Sequence, residues 1–235
     1  FGSALCGALV YTWSDTFWFS AVEGEVYAFS SFCTALVVWL ILKWDVRAEQ
    51  PNSDRYIILI AYVIGISIAV HLLNLLCIPA IVLIVYYRKF KETNVKGSLI
   101  ALGVAFVIVA LILFGLVPGF IGVAQKFELL CVNTLGMSYN SGVLLYTLLT
   151  VVSLVWAVRE LYKNSSPTRI RLSFILSVIF SGVLFIGHGW FIPTILVAAL
   201  VVYLFATKKL PVRILSITAL SILVIFVGYS SYALI

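Results

Sequence analysis

Nine apolar segments dominate this chain: Phe1–Trp13, Val26–Leu42, Tyr56–Val70, Asn74–Tyr87, Ser98–Pro118, Ser138–Val158, Arg171–Gly187, Trp190–Ala206 and Val212–Leu234. Charged or turn-forming stretches separate most of them. A soluble domain needs a largely polar surface, and a chain that is 63% hydrophobic and 10% charged cannot supply one. A bilayer accepts such segments as helices of about 20 residues. The expected fold class is therefore all-α, a polytopic transmembrane helical bundle of about nine membrane segments. The whole chain, 1–235, reads as part of one transmembrane domain. It begins and ends in apolar sequence, at Phe1 and Ile235, and we read it as an internal fragment.

Two runs are too long for one crossing. Tyr56–Tyr87 has 32 residues, about 48 Å as a helix, against a hydrocarbon core of about 30 Å. His71, Asn74 and Pro79 interrupt it. Arg171–Ala206 is similar, with Gly187-His188-Gly189 and Pro193 inside. Charge separates one tilted helix from a hairpin of two short ones. If both runs are hairpins, the loops Lys43–Arg55, Arg88–Lys96, Arg159–Arg171 and Lys208–Arg213 share one side and hold every basic residue except Lys126. A single span in the first run would put the next three loops on the other side from Lys43–Arg55, and the bias would largely vanish. The positive-inside rule thus predicts two short-helix hairpins, with the basic loops in the cytoplasm. The net charge of +6 then reports orientation, not nucleic-acid binding.

The opposite side is predicted to carry Asp15, Glu23, Glu25 and Glu128 against Lys126 alone, together with both histidines, His71 and His188. Chemistry is expected there. Tyr11–Ser31 reads YTWSDTFWFSAVEGEVYAFSS, with three acids and two tryptophans at a membrane boundary. Trp13, Trp18 and Phe19 suit an aromatic belt, Asp15 suits a helix cap, and Glu23 and Glu25 suit the positive end of the helix that follows. Acids at the mouth of an apolar bundle also suit a functional site. His71, with Asn74 about one helical turn on, and His188 between two glycines lie at predicted outer turns, where an imidazole can contact a phosphate. Asn133, Ser138, Tyr139, Asn140 and Ser141 form a polar patch that helix capping explains. Phe120–Cys131 is expected to lie flat as an interfacial helix. Cys6, Cys33, Cys77 and Cys131 form no CxxC pair and read as small packing residues. There is no phosphate loop, no HExxH, no GxSxG and no metal-spaced Cys/His cluster.

SDTFWFSAVEGEVYAFSSFCTALVVWLILKW and SDRYIILIAYVIGISIAVHLLNLLCIPAIVLIVYYRK resemble the protein O-mannosyltransferase-like membrane proteins abundant in Bacteroidota, with relatives in animals, of the glycosyltransferase-C superfamily. The resemblance is close from about Gly2 to Lys91 and looser through MSYNSGVLLY and GHGWFIP. It implies a polyprenyl-phosphate sugar donor, mannose by preference, and an exported acceptor protein glycosylated on Ser or Thr. It also implies an active site facing outward from a bacterial inner membrane. The catalytic base is expected in a first external loop outside this sequence, so the fragment alone should be inactive. Glu25 in AVEGEVYA matches the second acidic position of the pattern, with Glu23 and Asp15 assisting as catalytic-side acids. His71 in AVHLLNL matches a polar position near the donor. Asn74, Trp18, His188 and Asn140 complete the expected substrate-binding set. No cofactor is assigned with certainty, and a divalent cation stays open. A transporter or flippase for a lipid-linked substrate, or a non-catalytic scaffold, are the alternative readings; an inverted repeat, a transporter feature, is not visible.

Overall fold

The structure is a computed structural model that describes residues 1–23, 26–187 and 189–230. Among these residues every regular element is helical: α1 (Gly2–Thr12), α2 (Asp15–Val22), α3 (Tyr27–Arg47), α4 (Asp54–Val70), a 3-10 turn (Leu72–Leu76), α5 (Cys77–Lys89), α6 (Val95–Ala110), α7 (Val117–Leu129), α8 (Ser141–Tyr162), α9 (Pro167–Phe180), α10 (Phe191–Ala206) and α11 (Val212–Ser230). Tyr27–Arg47, Leu72–Lys89, Val95–Thr134, Ser141–Tyr162 and Val212–Ser230 are long and apolar enough to cross a membrane. The other four predicted segments are helices of 11, 17, 14 and 16 residues (α1, α4, α9 and α10), short of the roughly 20 a full crossing needs. Large apolar side chains such as Val104, Phe106, Leu144, Leu148 and Val202 point outward, as a bilayer permits and water penalises.

The chain reverses inside both long runs. α4 stops at His71, whose backbone is extended (φ −158, ψ 132). Tyr27, at the start of α3, packs its ring on His71 at 5.5 Å. At the far end of α3, Asp45 pairs with Arg88 at the end of α5 at 3.8 Å, and Lys89 lies over the Trp44 ring. α4 and α5 are therefore antiparallel, flanking α3. Arg171, early in α9, donates to the carbonyls of Leu204 and Thr207 at the end of α10, at 2.9 and 3.1 Å, so α9 and α10 also double back. Arg213 makes a bidentate pair with Asp54, both bonds 2.7 Å, joining the starts of α11 and α4. The loops 43–55, 88–96, 159–171 and 208–213 thus share one end of the bundle, here the basic end.

Small residues bring the helices close. An ideal Cβ on Gly65 would stand 2.6 Å from the Ile225 carbonyl oxygen, so α4 and α11 pack backbone to backbone. Ser173, Ser177 and Ser181 recur every fourth residue along one face of α9 and are fully buried. Each hydroxyl donates to a carbonyl three residues back, at 3.1, 2.8 and 2.7 Å. Close approach of this kind is how helices associate where lipid removes the hydrophobic drive between them.

One expectation fails. The segment after Pro118 does not lie flat as a separate helix. Val95–Thr134 is a continuous helical stretch of 40 residues, including π-helical turns at Leu111–Leu116 and Leu130–Thr134. Pro118 sits in the first turn of α7, where the wider π turn before it removes the need for the proline's missing N–H.

Gly65→Leu forces atoms into the Ile225 backbone and should lower stability by about 1–3 kcal/mol or more. Gly103→Ala, with nothing within 4 Å of the new Cβ, should be neutral or slightly stabilising. Thermal unfolding of the detergent-solubilised protein, followed by circular dichroism, checks both.

Candidate functional site at the end opposite the basic loops

The polar residues of α3, α4 and the turn between α4 and α5 converge at one end. Tyr27, Ser30 and Thr34 fall at i, i+3 and i+7, one face of α3. His71 ends α4 and caps the 3-10 turn: its Nδ1 accepts the Leu73 N–H at 3.1 Å. The Nδ1 lone pair is thereby occupied, so the neutral ring carries its proton on Nε2, which is a donor. The ring is half-buried beside Tyr27.

Asn74 lies beneath it and is fully buried. Its Nδ2 donates to Ser67 Oγ at 2.8 Å. Its Oδ1 accepts from Thr34 Oγ1 at 2.9 Å and, more weakly, from Cys77 Sγ at 3.5 Å. A buried amide with both ends satisfied fixes the helices around it, and Asn74 thus ties α3, α4 and α5 together. Beside it the Ser30 hydroxyl is 1% exposed and has no hydrogen-bond partner among the described residues.

The acids lie apart from this network. Ser14, not Asp15, caps α2: its hydroxyl accepts the Phe17 N–H at 3.4 Å. Asp15 is the first residue of the helix, exposed and at the positive end of its dipole. Trp18 is exposed on α2, and Glu23 closes that helix. α2 packs against α3, but among the described residues no hydrogen bond or ion pair joins Asp15 or Glu23 to His71 or Asn74. Glu25 and His188 lie outside the described residues. Among those described, no three of His, Cys, Asp and Glu converge closely enough to hold a metal ion.

Asn140 belongs to a second locus. Its φ is +70 and its side chain caps nothing. The cap comes from Glu128 in α7: one carboxylate oxygen accepts the Asn140 N–H at 2.6 Å, and the other those of Gly142 and Val143 at 2.9 and 3.1 Å. The capping expected of Asn140 is thus done by an acid 12 residues earlier. Nearby, Lys126 Nζ stands 4.0 Å over the Trp190 ring. Tyr27, Ser30 and Thr34 were not singled out from the sequence, although polar residues at helical spacing in an apolar run are the signal that marks them.

Residues 1–94 match the model of the family described as "Protein O-mannosyl-transferase TMEM260 N-terminal domain". No curated protein matches the chain, and no solved structure does. The matched stretch runs from α1 through α5 and stops one residue before α6. It contains the whole His71–Asn74–Tyr27 network, and it supports an O-mannosyltransferase-like chain. With the five long apolar helices it supports an integral membrane protein. Glu128 and Asn140 lie beyond it.

Asn74→Ala leaves Ser67 and Thr34 without their shared partner and should cost about 1–3 kcal/mol, read as a fall in the thermal midpoint. Glu128→Ala removes the carboxylate from the first turn of α8. It should cost about 1 kcal/mol and speed amide exchange at Gly142 and Val143, seen by hydrogen-exchange mass spectrometry.

Proposed function

We propose that this chain is part of a glycosyltransferase-C-type membrane enzyme. It transfers a sugar, mannose, from a polyprenyl-phosphate donor to Ser or Thr hydroxyls of exported proteins. The observation that carries this reading is the match of residues 1–94 to the N-terminal domain of a protein O-mannosyl-transferase, the stretch in which the polar side chains of α3 and α4 converge. The site lies opposite the basic end, and basic loops face the cytoplasm in membrane proteins. This supports a reaction on the outer face, which we read as the periplasmic face of a bacterial inner membrane.

In the proposed reaction a carboxylate base takes the proton of the acceptor hydroxyl. The hydroxyl oxygen bonds to the anomeric carbon, and the bond from that carbon to the phosphate oxygen breaks. Polyprenyl phosphate leaves, its tail staying in lipid. His71 donates its Nε2–H to the phosphate as negative charge gathers there. Tyr27 holds the ring from one side, and the Leu73 N–H fixes its tautomer from the other. Asn74 is a positioning residue, holding the turn that carries His71. Glu25, with Glu23 or Asp15, orients the acceptor or the donor headgroup, and Trp18 offers an exposed ring to the sugar.

The test is transfer from radiolabelled polyprenyl-phosphate mannose to an exported acceptor by the full-length protein in membranes. Glu25→Gln should abolish labelling at unchanged expression, and His71→Ala should lower it about a hundredfold, the usual cost of one donor to a developing anion. Full activity in both variants would remove these residues from the mechanism. No label with any polyprenyl-phosphate sugar would turn the reading towards a transporter or a scaffold.

A further inference from the structure

At the basic end a groove of about 620 Å³ opens between α5 and α6. Val82, Val85 and Tyr86 form one wall, and Ile100, Ala101 and Val104 the other. Ile100 and Val104 are 59% and 48% exposed, so the groove opens outward from the bundle. Its mouth is the loop between the helices, where Asn94 and Lys96 line it with Glu92. Arg88, Lys89, Lys91 and Lys96 fall within nine residues of sequence, against Glu92 alone.

Several cations at this end are already engaged. Arg171 is held by the Leu204 and Thr207 carbonyls, Arg213 by Asp54 and Arg169 by Glu160 at 3.7 Å. In the α5–α6 loop, Arg88 reaches Asp45 and Lys89 the Trp44 ring. Lys91 and Lys96 are exposed, and no carboxylate among the described residues pairs with either. Their charge is available to a ligand. The two helices are joined near the mouth: a Cβ on Gly97 would fall against the Tyr86 hydroxyl, and Tyr87 and Ser98 bond across the two helices at 2.8 Å.

An apolar channel with the unpaired Lys96 at its mouth and Lys91 in the adjoining loop is complementary to a molecule with an acyl chain and an anionic headgroup. We infer that the α5–α6 groove binds an anionic phospholipid, the acyl chain between Val85 and Val104 and the phosphate at Lys96 and Lys91. The site is separate from the His71 network, at the other end of the bundle, and does not rest on the proposed transferase activity.

The test is native mass spectrometry of the delipidated chain in detergent, titrated with phosphatidylglycerol or phosphatidylcholine. Phosphatidylglycerol should bind about tenfold or more tightly than phosphatidylcholine, since each cation near an anionic headgroup contributes substantially and two are engaged. Lys91→Ala/Lys96→Ala should erase that preference, and Val104→Trp, which fills the groove, should weaken binding of phosphatidylglycerol by a similar factor. Lys208→Ala/Lys209→Ala, in another basic loop, should change it less than twofold. Glycerol phosphate in excess should not displace the lipid. Equal binding of the two lipids, equal loss in the Lys208/Lys209 variant, or displacement by glycerol phosphate would each overturn the inference, the last in favour of a soluble phosphoester. Thermal midpoints of the variants separate loss of binding from loss of fold.

Discussion

The architecture turns on how the chain reverses at His71 without leaving polar backbone bare. A helix broken within apolar surroundings exposes N–H and C=O groups, each costly to leave unsatisfied. Here the N–H and C=O of His71 and the N–H of Leu73 have partners. The His71 N–H reaches the Ser67 carbonyl at 2.7 Å, and the His71 carbonyl accepts from Ser67 Oγ at 3.4 Å. The imidazole takes the Leu73 N–H, and Asn74 donates to the same serine. Because these bonds satisfy an extended residue, α5 can return alongside α3 and bring Arg88 back to Asp45. The segregation of charge at the ends of the bundle is a consequence of that reversal.

The second half is joined to the first by backbone contact rather than by large side chains. Gly65 meets Ile225, and Gly119 on α7 meets the turn at Gly182, whose φ of +78 a side chain would strain. Tyr146 sits at the junction, fully buried. Its ring lies 5.1 Å from Phe120, which in turn packs on Phe226 at 5.0 Å, and its hydroxyl donates to the Phe180 carbonyl at 2.7 Å. One residue thus connects α7, α8 and α9 and, through Phe120, α11. Thr150 donates to the same carbonyl at 2.9 Å, satisfying the end of α9 twice.

The reversals were legible in the sequence because they are set by something a sequence displays directly, the positions of lysine and arginine. The long helix through Pro118 was not legible. Proline reads as a boundary when an ordinary α-helix precedes it, and nothing in LILFGLVPG announces a π turn. The cap of α8 was hidden for a different reason: Glu128 is brought to Gly142 by the path of the intervening loop, and local capping rules point to Asn140 instead. Asp15 was misread by one position, since Ser14 offers the same cap chemistry and stands first. The resemblance located the stretch that holds the candidate site, while the network within it needed the fold, because Thr34 and Asn74 meet across 40 residues of chain.

The contrast between the two ends bears on the proposed chemistry. At the basic end guanidinium groups meet carboxylates and carbonyls, and such charged, bidentate contacts hold an anion equally before and after reaction. At the other end the described site offers an imidazole N–H and a buried polar shell. Uniform tight binding of a donor phosphate lowers its ground state along with the transition state and accelerates nothing. A single directed N–H gains most as charge moves onto the departing phosphate, provided the ring cannot turn away. The tautomer fixed by Leu73 and the face held by Tyr27 meet that condition. On the proposed reading, the structure that reverses the chain at His71 is also what keeps its catalytic proton aimed.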